Sequence, residues 1–274
     1  MINVVLVGLG HIAKRHAEAI SNTEGIQLYG VCDAIDKALL AFETDAKKFT
    51  NLYDALQDDF VDVVVLTTPS WLHHSMTLDA LNRDKVVLCE KPLALTSQDV
   101  NDIIKQSLDT SIPVWVVLQQ RYAPAVQYLE QLLSPEKLGT PHLVQINCLW
   151  NRGEQYFDSP WKGERSKDGG ALFNQFSHYI DLVTYLFHFT MESGALVTLN
   201  YTTSAWDKNF ENSITVIASE GNITLSGQGL TEVTAHASFD LPEMDMSVSA
   251  GHKRVYEEVV RYFWDGDCDL PRAV

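Results

Sequence analysis

Short apolar runs alternate with amphipathic stretches through the first 120 residues of the chain. The runs at 2–7 (INVVLV), 26–31 (IQLYGV), 62–66 (DVVVL), 86–89 (VVLC) and 114–118 (VWVVL) are continuous and rich in β-branched residues. That is the pattern of strands covered on both faces rather than one. Between them, segments near 12–20, 36–47, 71–82 and 96–108 predict helices. The last opens with Thr96, Ser97 and Gln98 as a candidate N-cap, and Val100, Ile103, Ile104 and Leu108 are spaced to form its buried face. Strand–helix alternation of this kind predicts an α/β fold with a doubly wound parallel sheet.

After Arg121 the pattern changes. A helix is expected over 123–133, then a strand at 142–150 (HLVQINCLW), a loop rich in Trp, Tyr and Gly, and a helix from about 170 to 187. Further apolar–polar runs at 195–204, 213–219 and 222–226 follow, with Glu220-Gly221-Asn222 as a hairpin turn. This half predicts an α+β domain with an open, largely antiparallel sheet. The expected division is 1–121 and 122–274.

Composition narrows the partners. A length of 274 residues with 46% hydrophobic and 20% charged residues is that of an ordered chain with a sizeable core. A formal net charge of −16 argues against nucleic acid and anionic membrane surfaces, which need a basic face. A small anion held in a local basic pocket stays compatible with it. Cys32, Cys89, Cys148 and Cys268 are widely spaced, with no CxxC pair, and Cys32 and Cys89 sit in strand-like runs as small buried residues. No basic leader opens the chain, and no window approaches the roughly 18 apolar residues of a membrane helix. A cytoplasmic location is expected. The nine histidines form no HxxxH or His/Cys cluster on a helix face, so no metal is expected.

Three segments carry candidate chemistry. In Gly8-Leu9-Gly10-His11-Ile12-Ala13, directly after a strand, Gly8 permits a tight turn and Gly10 lets a pyrophosphate approach a helix N-terminus. Ala13 takes the place of a third glycine. Asp33, twenty residues beyond Ala13 at the end of the next strand, stands where an acid accepts ribose hydroxyls and repels a 2′-phosphate, favouring NAD over NADP. The same glycines would also suit a plain turn in a nucleotide-free domain. At 86–93, an apolar strand runs into Glu90, Lys91 and Pro92. Lys91 there is positioned for a ligand at the carboxyl edge of an open sheet, or else is a surface lysine with a buried stem. At 168–181, Asn174, His178 and Asp181 share one helical face, a polar stripe suited to a wet cleft or to plain solvation.

These segments, in this order, resemble the glucose–fructose oxidoreductase/inositol dehydrogenase/MocA family of nicotinamide-dependent sugar oxidoreductases. The resemblance runs through GLGHIA, TTPSWLHH (67–74), CEKPL (89–93) and GGALFNQFSHYID (169–181). It implies a Rossmann domain that binds NAD through Gly8, Gly10, His11, Ile12 and Asp33, with Thr67, Pro69, His73, Glu90 and Lys91 also bordering the cofactor. It implies Lys91 beside the nicotinamide and the substrate, and His178 as the catalytic proton acceptor.

Two departures qualify it. Many members carry an aspartate four residues before the histidine; Asn174 stands there, and an amide cannot take up the proton. The N-Q-x-x-H pattern, with Gln175, is similar to the branch acting on UDP-N-acetylhexosamines and their uronic acids. The segment Trp150–Gly163 resembles that branch's substrate loop, and Arg152 and Lys162 would then meet a carboxylate or diphosphate. The second departure is length: 186–196 joins helix to strand without the usual strand-bearing insertion, and the chain stops at Val274 short of a final helix common in relatives. The function expected is hydride transfer between a sugar or sugar-nucleotide carbinol and a nicotinamide. A non-catalytic sensor of NAD or a sugar, or a dehydrogenase of a free polyol or dihydrodiol, are the alternatives. The resemblance also implies a homodimer or homotetramer assembled through the C-terminal sheet.

Overall fold

In a computed structural model, the structure describes residues 1–187, 194–237, 247 and 249–273. The chain forms two compact units. The first takes Met1–Leu118, Glu164–Asn174 and the segment beginning at His252. The second takes Gln119–Gly163 and the described part of 175–251. The chain thus leaves the first unit three residues before the division drawn at 121/122, and returns to it twice.

The first unit is built on six parallel strands: β1 (Ile2–Val7), β2 (Ile26–Cys32), β3 (Lys47–Phe49), β4 (Val63–Leu66), β5 (Val86–Glu90) and β6 (Val114–Val117). Their order is β3-β2-β1-β4-β5-β6. Five of them are the five apolar runs of the sequence. Val4, Val5, Leu6, Val63, Val64, Val65, Leu66, Val87 and Leu88 are fully buried, as strands covered on both faces require. β3 replaces the end of the helix expected over 36–47, which stops at Ala41. In helix Ser97–Thr110 the Thr96 hydroxyl caps the Asp99 N–H at 3.1 Å, as its sequence predicts. Its buried face differs from the expected one: Ile103 and Ser107 turn inward while Leu108 is exposed.

The longest helix of the unit, Ala250–Asp265, carries Val255, Tyr256 and Val259 into the core, and no element was expected there from sequence. Beyond it, Val116 N–H bonds to Pro271 O and Ala273 N–H to Val114 O, so the tail covers the free edge of β6.

The second unit holds a mixed sheet of β7 (Pro141–Leu149), β8 (Leu196–Thr202), β9 (Glu211–Ala218), β10 (Gly221–Ser226) and β11 (Glu232–Ala237), in the order β11-β10-β9-β7-β8. β7 and β8 are parallel, and the other pairs are antiparallel. The β9–β10 hairpin forms where expected, but Gly221 already pairs with Ala218, so Ser219 and Glu220 make the turn. Helix Ser177–Phe187 lays Tyr179, Leu182, Val183 and Leu186 against a core with Val144, Ile146, Ile214 and Val216. The single helix expected from about 170 is broken: Ala171–Asn174 and Ser177–Phe187 are separate, with buried Phe176 between them. Asn174 therefore does not continue the face of His178 and Asp181. The short junction expected within 186–196 runs through residues 188–193, which lie outside the described residues.

Candidate functional site

A tight glycine turn opens at the carboxyl end of β1. Gly8 has φ of 93°, and a Cβ added there would lie 2.8 Å from the Thr68 main chain. Only glycine meets both demands without strain. A Cβ added at Gly10 would meet nothing within 4 Å, which leaves the main chain open to a ligand at the entry to helix Ala13–Ser21. Ala13 is fully buried, its small side chain allowing the helix to lie close on the sheet. Asp33 accepts from Leu9 N–H and Ile35 N–H, each at 2.8 Å, so its carboxylate ties the glycine turn to the end of β2. Each oxygen keeps acceptor capacity for a hydroxyl. Thr67 is buried, its hydroxyl donating to Gly8 O at 2.6 Å and Val7 O at 3.0 Å, which makes it a clamp on the same turn. His11 is exposed and Ile12 half-buried at the mouth of the helix.

The strand order places the topological switch between β1 and β4. Glu90, Lys91 and Pro92 therefore stand at the end of β5, one strand beyond the switch, and the Lys91–Pro92 peptide is cis. His73 is held between two carbonyls, with Nδ1 2.8 Å from Pro92 O and Nε2 2.9 Å from Thr68 O. A neutral ring donates its one N–H to one of these carbonyls and sets its other nitrogen against the second, and His73 so bridges the segment starting at Pro69 and the E-K-P turn. Burial pushes its pKa below the ordinary range. Lys91 donates from Nζ to the main-chain oxygen of Asn174 at 2.6 Å. Burial lowers the pKa of its amine, while the Glu90 charge raises it. Such an amine exchanges its proton nearer neutrality than a solvated lysine.

The second unit carries the remaining candidates. His178 Nε2 lies 3.3 Å from the side-chain nitrogen of Gln119. An amide N–H can only donate, so Nε2 accepts and the ring proton belongs on Nδ1. Asp181, one turn on, is not a free member of a polar stripe. Arg121 grips it with two N–H groups, Nε to Oδ2 at 2.8 Å and Nη2 to Oδ1, and stacks on Tyr185. Arg152 donates from Nε to Gln175 Oε1 at 2.8 Å and lies over the rings of Trp150 and Tyr156. Gln175 in turn donates to the Tyr156 hydroxyl. Lys162 lies over Tyr156, its Nζ 4.3 Å from the ring centre. Burial lowers the pKa of both cations, and for Lys162 the Arg152 charge adds to it. Among the described residues neither is paired with a carboxylate, and two unneutralised cations sharing aromatic neighbours make a natural anion site.

The structure thus brings Gly8, Gly10, Asp33 and Thr67 together in one turn. It brings Lys91 to Asn174 through main chain, and Arg152 to Gln175 through side chains. Gln119 beside His178, Arg121 on Asp181, and His16, 3.0 Å from Glu90 and bonded to Tyr256, are partners that sequence reasoning did not find. The abrupt change from Val117-Leu118 to Gln119-Gln120-Arg121 at a strand end marked two of them.

Comparison with known proteins agrees with this construction. Residues 2–117 match the family model described as an oxidoreductase family with an NAD-binding Rossmann fold, and residues 126–190 match the GFO/IDH/MocA C-terminal domain. The chain is 27% identical over 187 residues to inositol 2-dehydrogenase of Salmonella typhimurium, 66% of this chain and 53% of the relative. It is 27% identical over 191 residues to glucose-6-phosphate 3-dehydrogenase of Bacillus subtilis, 68% of this chain and 54% of the relative. The chain spans about half the length of the curated relatives it matches. Among solved structures, the WlbA dehydrogenase of Bordetella pertussis, in complex with NADH and UDP-GlcNAcA, is similar with a TM-score of 0.87 and 27% identity. The match covers 99% of this chain and 90% of that one. An NAD-binding Rossmann unit that carries the E-K-P turn at the end of β5, followed by the C-terminal domain of the same family, makes the chain a member of the GFO/IDH/MocA oxidoreductases.

Proposed function

We propose that the protein is an NAD-dependent dehydrogenase that oxidises a ring carbinol of a sugar nucleotide, with Lys91 and His178 as its proton-handling groups. The observation that carries the substrate class is the pair Arg152 and Lys162, two half-buried cations over aromatic faces with no carboxylate partner among the described residues. A diphosphate or uronate would supply the missing negative charge. Gln175, braced by both Arg152 and Tyr156, adds an amide to that surface, and the side chain of Asn174 offers another donor and acceptor for a sugar hydroxyl. The likeness to a dehydrogenase that binds UDP-GlcNAcA supports the same choice.

The glycine turn suits NAD: Gly10 is open to a pyrophosphate, and the Asp33 carboxylate favours ribose hydroxyls over a 2′-phosphate. When bound, NAD supplies the hydride acceptor. His178 Nε2, from whose lone pair the sugar hydroxyl would displace the Gln119 amide, takes the proton of that hydroxyl as the C–H bond gives up its hydride. A C=O bond is left on the sugar, and each such proton-handling group contributes about a hundredfold or more in rate. Lys91, anchored on Asn174 O, orients that hydroxyl and stabilises its developing charge.

The exposed side chains of Leu196, Tyr201 and Ile217 on the second unit's sheet support a homodimer or homotetramer formed through it, read by sedimentation velocity. Four free, buried cysteines fit a reducing cytoplasm. No described helix is long and apolar enough to cross a membrane.

The deciding experiment is NADH formation from NAD with UDP-N-acetylhexosamines, their uronates, inositol and free hexoses, using wild type, Lys91→Met, His178→Asn and Arg152→Ala. Turnover on a sugar nucleotide should vanish in the first two variants and show a raised KM in the third. Turnover on free polyols alone would replace the substrate assignment. Silence on every sugar, with NAD binding intact by calorimetry, would replace the enzyme with a sensor.

A further inference from the structure

A carboxylate stands buried at the end of β5. Glu90 is 7% exposed, with Oε1 3.0 Å from His16 Nε2 and Oε2 accepting the Lys91 main-chain N–H at 3.1 Å. His16, on helix Ala13–Ser21, is fully buried, and its Nδ1 lies 2.6 Å from the Tyr256 hydroxyl, also fully buried. Hydrogen-bond accounting sets the roles. Among the described residues the Tyr256 hydroxyl has no acceptor but Nδ1. Tyr256 therefore donates, and the ring proton stands on Nε2, aimed at Glu90. His252 stands edge-on to His16 with ring centres 5.5 Å apart, and burial pushes its pKa down to about 4, so it is neutral at pH 7. Donor atoms of His16, Glu90 and His252 lie within 4.8 Å of one another, as a cation would need. The Nε2 proton is already committed to Glu90, however, so Tyr256, His16 and Glu90 form a hydrogen-bonded chain without an ion, and His252, whose ring nitrogens bond to no described residue, stands outside it.

We propose that His16 is a positioning residue: braced by Tyr256, it holds Glu90 as an anion against the Lys91 main chain and so maintains the Lys91 amine in its working charge state. The titratable groups around this pair come from every neighbouring element. They are Cys89 on the strand, His16 from the first helix, His73 from helix His73–Leu81, and His252 and Tyr256 from helix Ala250–Asp265. Of these His16 donates to Glu90, and Glu90 is the counter-charge acting on Lys91. Burial alone would neutralise both Glu90 and Lys91. The chain from Tyr256 keeps the carboxylate charged, and the carboxylate keeps the ammonium from losing its proton too early.

The inference rests on the reading of Lys91 as the amine at the reacting centre, so its test is made without substrate. Competitive acylation by acetic anhydride, read on the Lys91 peptide by mass spectrometry across pH, gives the titration midpoint of that amine. Wild type, His16→Leu, His16→Gln and Glu90→Gln are compared. Losing the His16 donor lets Glu90 take up a proton, and Lys91 then loses its counter-charge. The midpoint should fall by about one pH unit in His16→Leu and in Glu90→Gln. Glutamine at position 16 keeps an N–H near Nε2 and should restore most of the shift. A merely structural His16 would change thermal stability and leave the midpoint alone. An unchanged midpoint in folded His16→Leu, or in the isosteric Glu90→Gln if the leucine variant does not fold, overturns the inference. A shifted midpoint in a protein that turns over no sugar would sustain it while refuting the proposed activity.

Discussion

The ammonium of Lys91 is anchored on a main-chain atom, the carbonyl oxygen of Asn174, at 2.6 Å. The amine's position is therefore set by the backbone of the short helix Ala171–Asn174 and not by the side chain that ends it. The asparagine amide is left to other work.

Asn174→Ala should accordingly leave the Lys91 titration midpoint where it is and raise the KM for the sugar, by about tenfold for one lost hydrogen bond of about 1.4 kcal/mol. Amine labelling and steady-state kinetics read the two effects separately. A moved midpoint would show that the side chain, too, holds the lysine.

Gly8 and Gly10 should fail in different ways when each becomes alanine. At Gly8 the positive φ and the 2.8 Å approach to Thr68 force the turn to shift, so Gly8→Ala should lower the melting temperature and NADH affinity together. At Gly10 the added methyl meets no protein atom within 4 Å. Gly10→Ala should keep its melting temperature and lose NADH affinity by roughly tenfold or more, as a methyl blocks the pyrophosphate. Equal affinity in Gly10→Ala and wild type would move the phosphate elsewhere.

Asp33 holds the Leu9 N–H and is proposed to meet the ribose, and one substitution should report on both. Asp33→Ser with Ala34→Arg should raise the ratio of kcat/KM for NADP over NAD by roughly tenfold or more, since the repulsive carboxylate is gone and a cation is added. NAD binding should weaken as well, because Leu9 N–H loses its 2.8 Å acceptor. Kinetics with both cofactors decide it, and an unchanged ratio would remove Asp33 from the ribose site.

Acid should expose the Glu90 chain. Burial raises the pKa of Glu90, but the His16 hydrogen bond and the positive charge of Lys91 outweigh it and hold the carboxyl at about 2, below the ordinary 4.5. With the folded value depressed, the stabilisation is complete above pH 4.5 and is lost as pH falls toward 2. Between about pH 5 and pH 3, wild type should lose on the order of 2 kcal/mol more stability than Glu90→Gln. Urea midpoints at the two pH values test this, and parallel losses in the two proteins would contradict it.

The parallel sheet was legible because its strands are buried on both faces, so their apolar runs are unbroken. β3 was not: Lys47-Lys48-Phe49 has a single buried side chain and hides behind a helix-like approach. The helix Ala250–Asp265 shows Val255, Tyr256 and Val259 at helical spacing, so its signal was present and went unread among the surrounding charges. A residue that obeys a local rule, such as Gly8 at its turn, was legible from the motif alone. His16 and Tyr256 obey none, because each gains meaning from a partner 240 positions away. The broken helix near Phe176 shows the limit from the other side. The spacing of Asn174, His178 and Asp181 was sound as arithmetic, but burial of Phe176 ends the periodicity on which it depends.

Because helix Ala250–Asp265 packs into the unit that contains β1, part of that unit is made only after the chain from Gln119 to Gly163 and the described part of 175–251. At about 5–20 residues per second, tens of seconds pass between the emergence of His16 and that of Tyr256. For that interval the nascent NAD-binding sheet carries an uncovered histidine and an unfinished edge at β6. A ribosome stalled before residue 250 should therefore display a chain whose His16 lacks its Tyr256 brace and whose β6 edge is bare, and quality-control factors would meet it in that form.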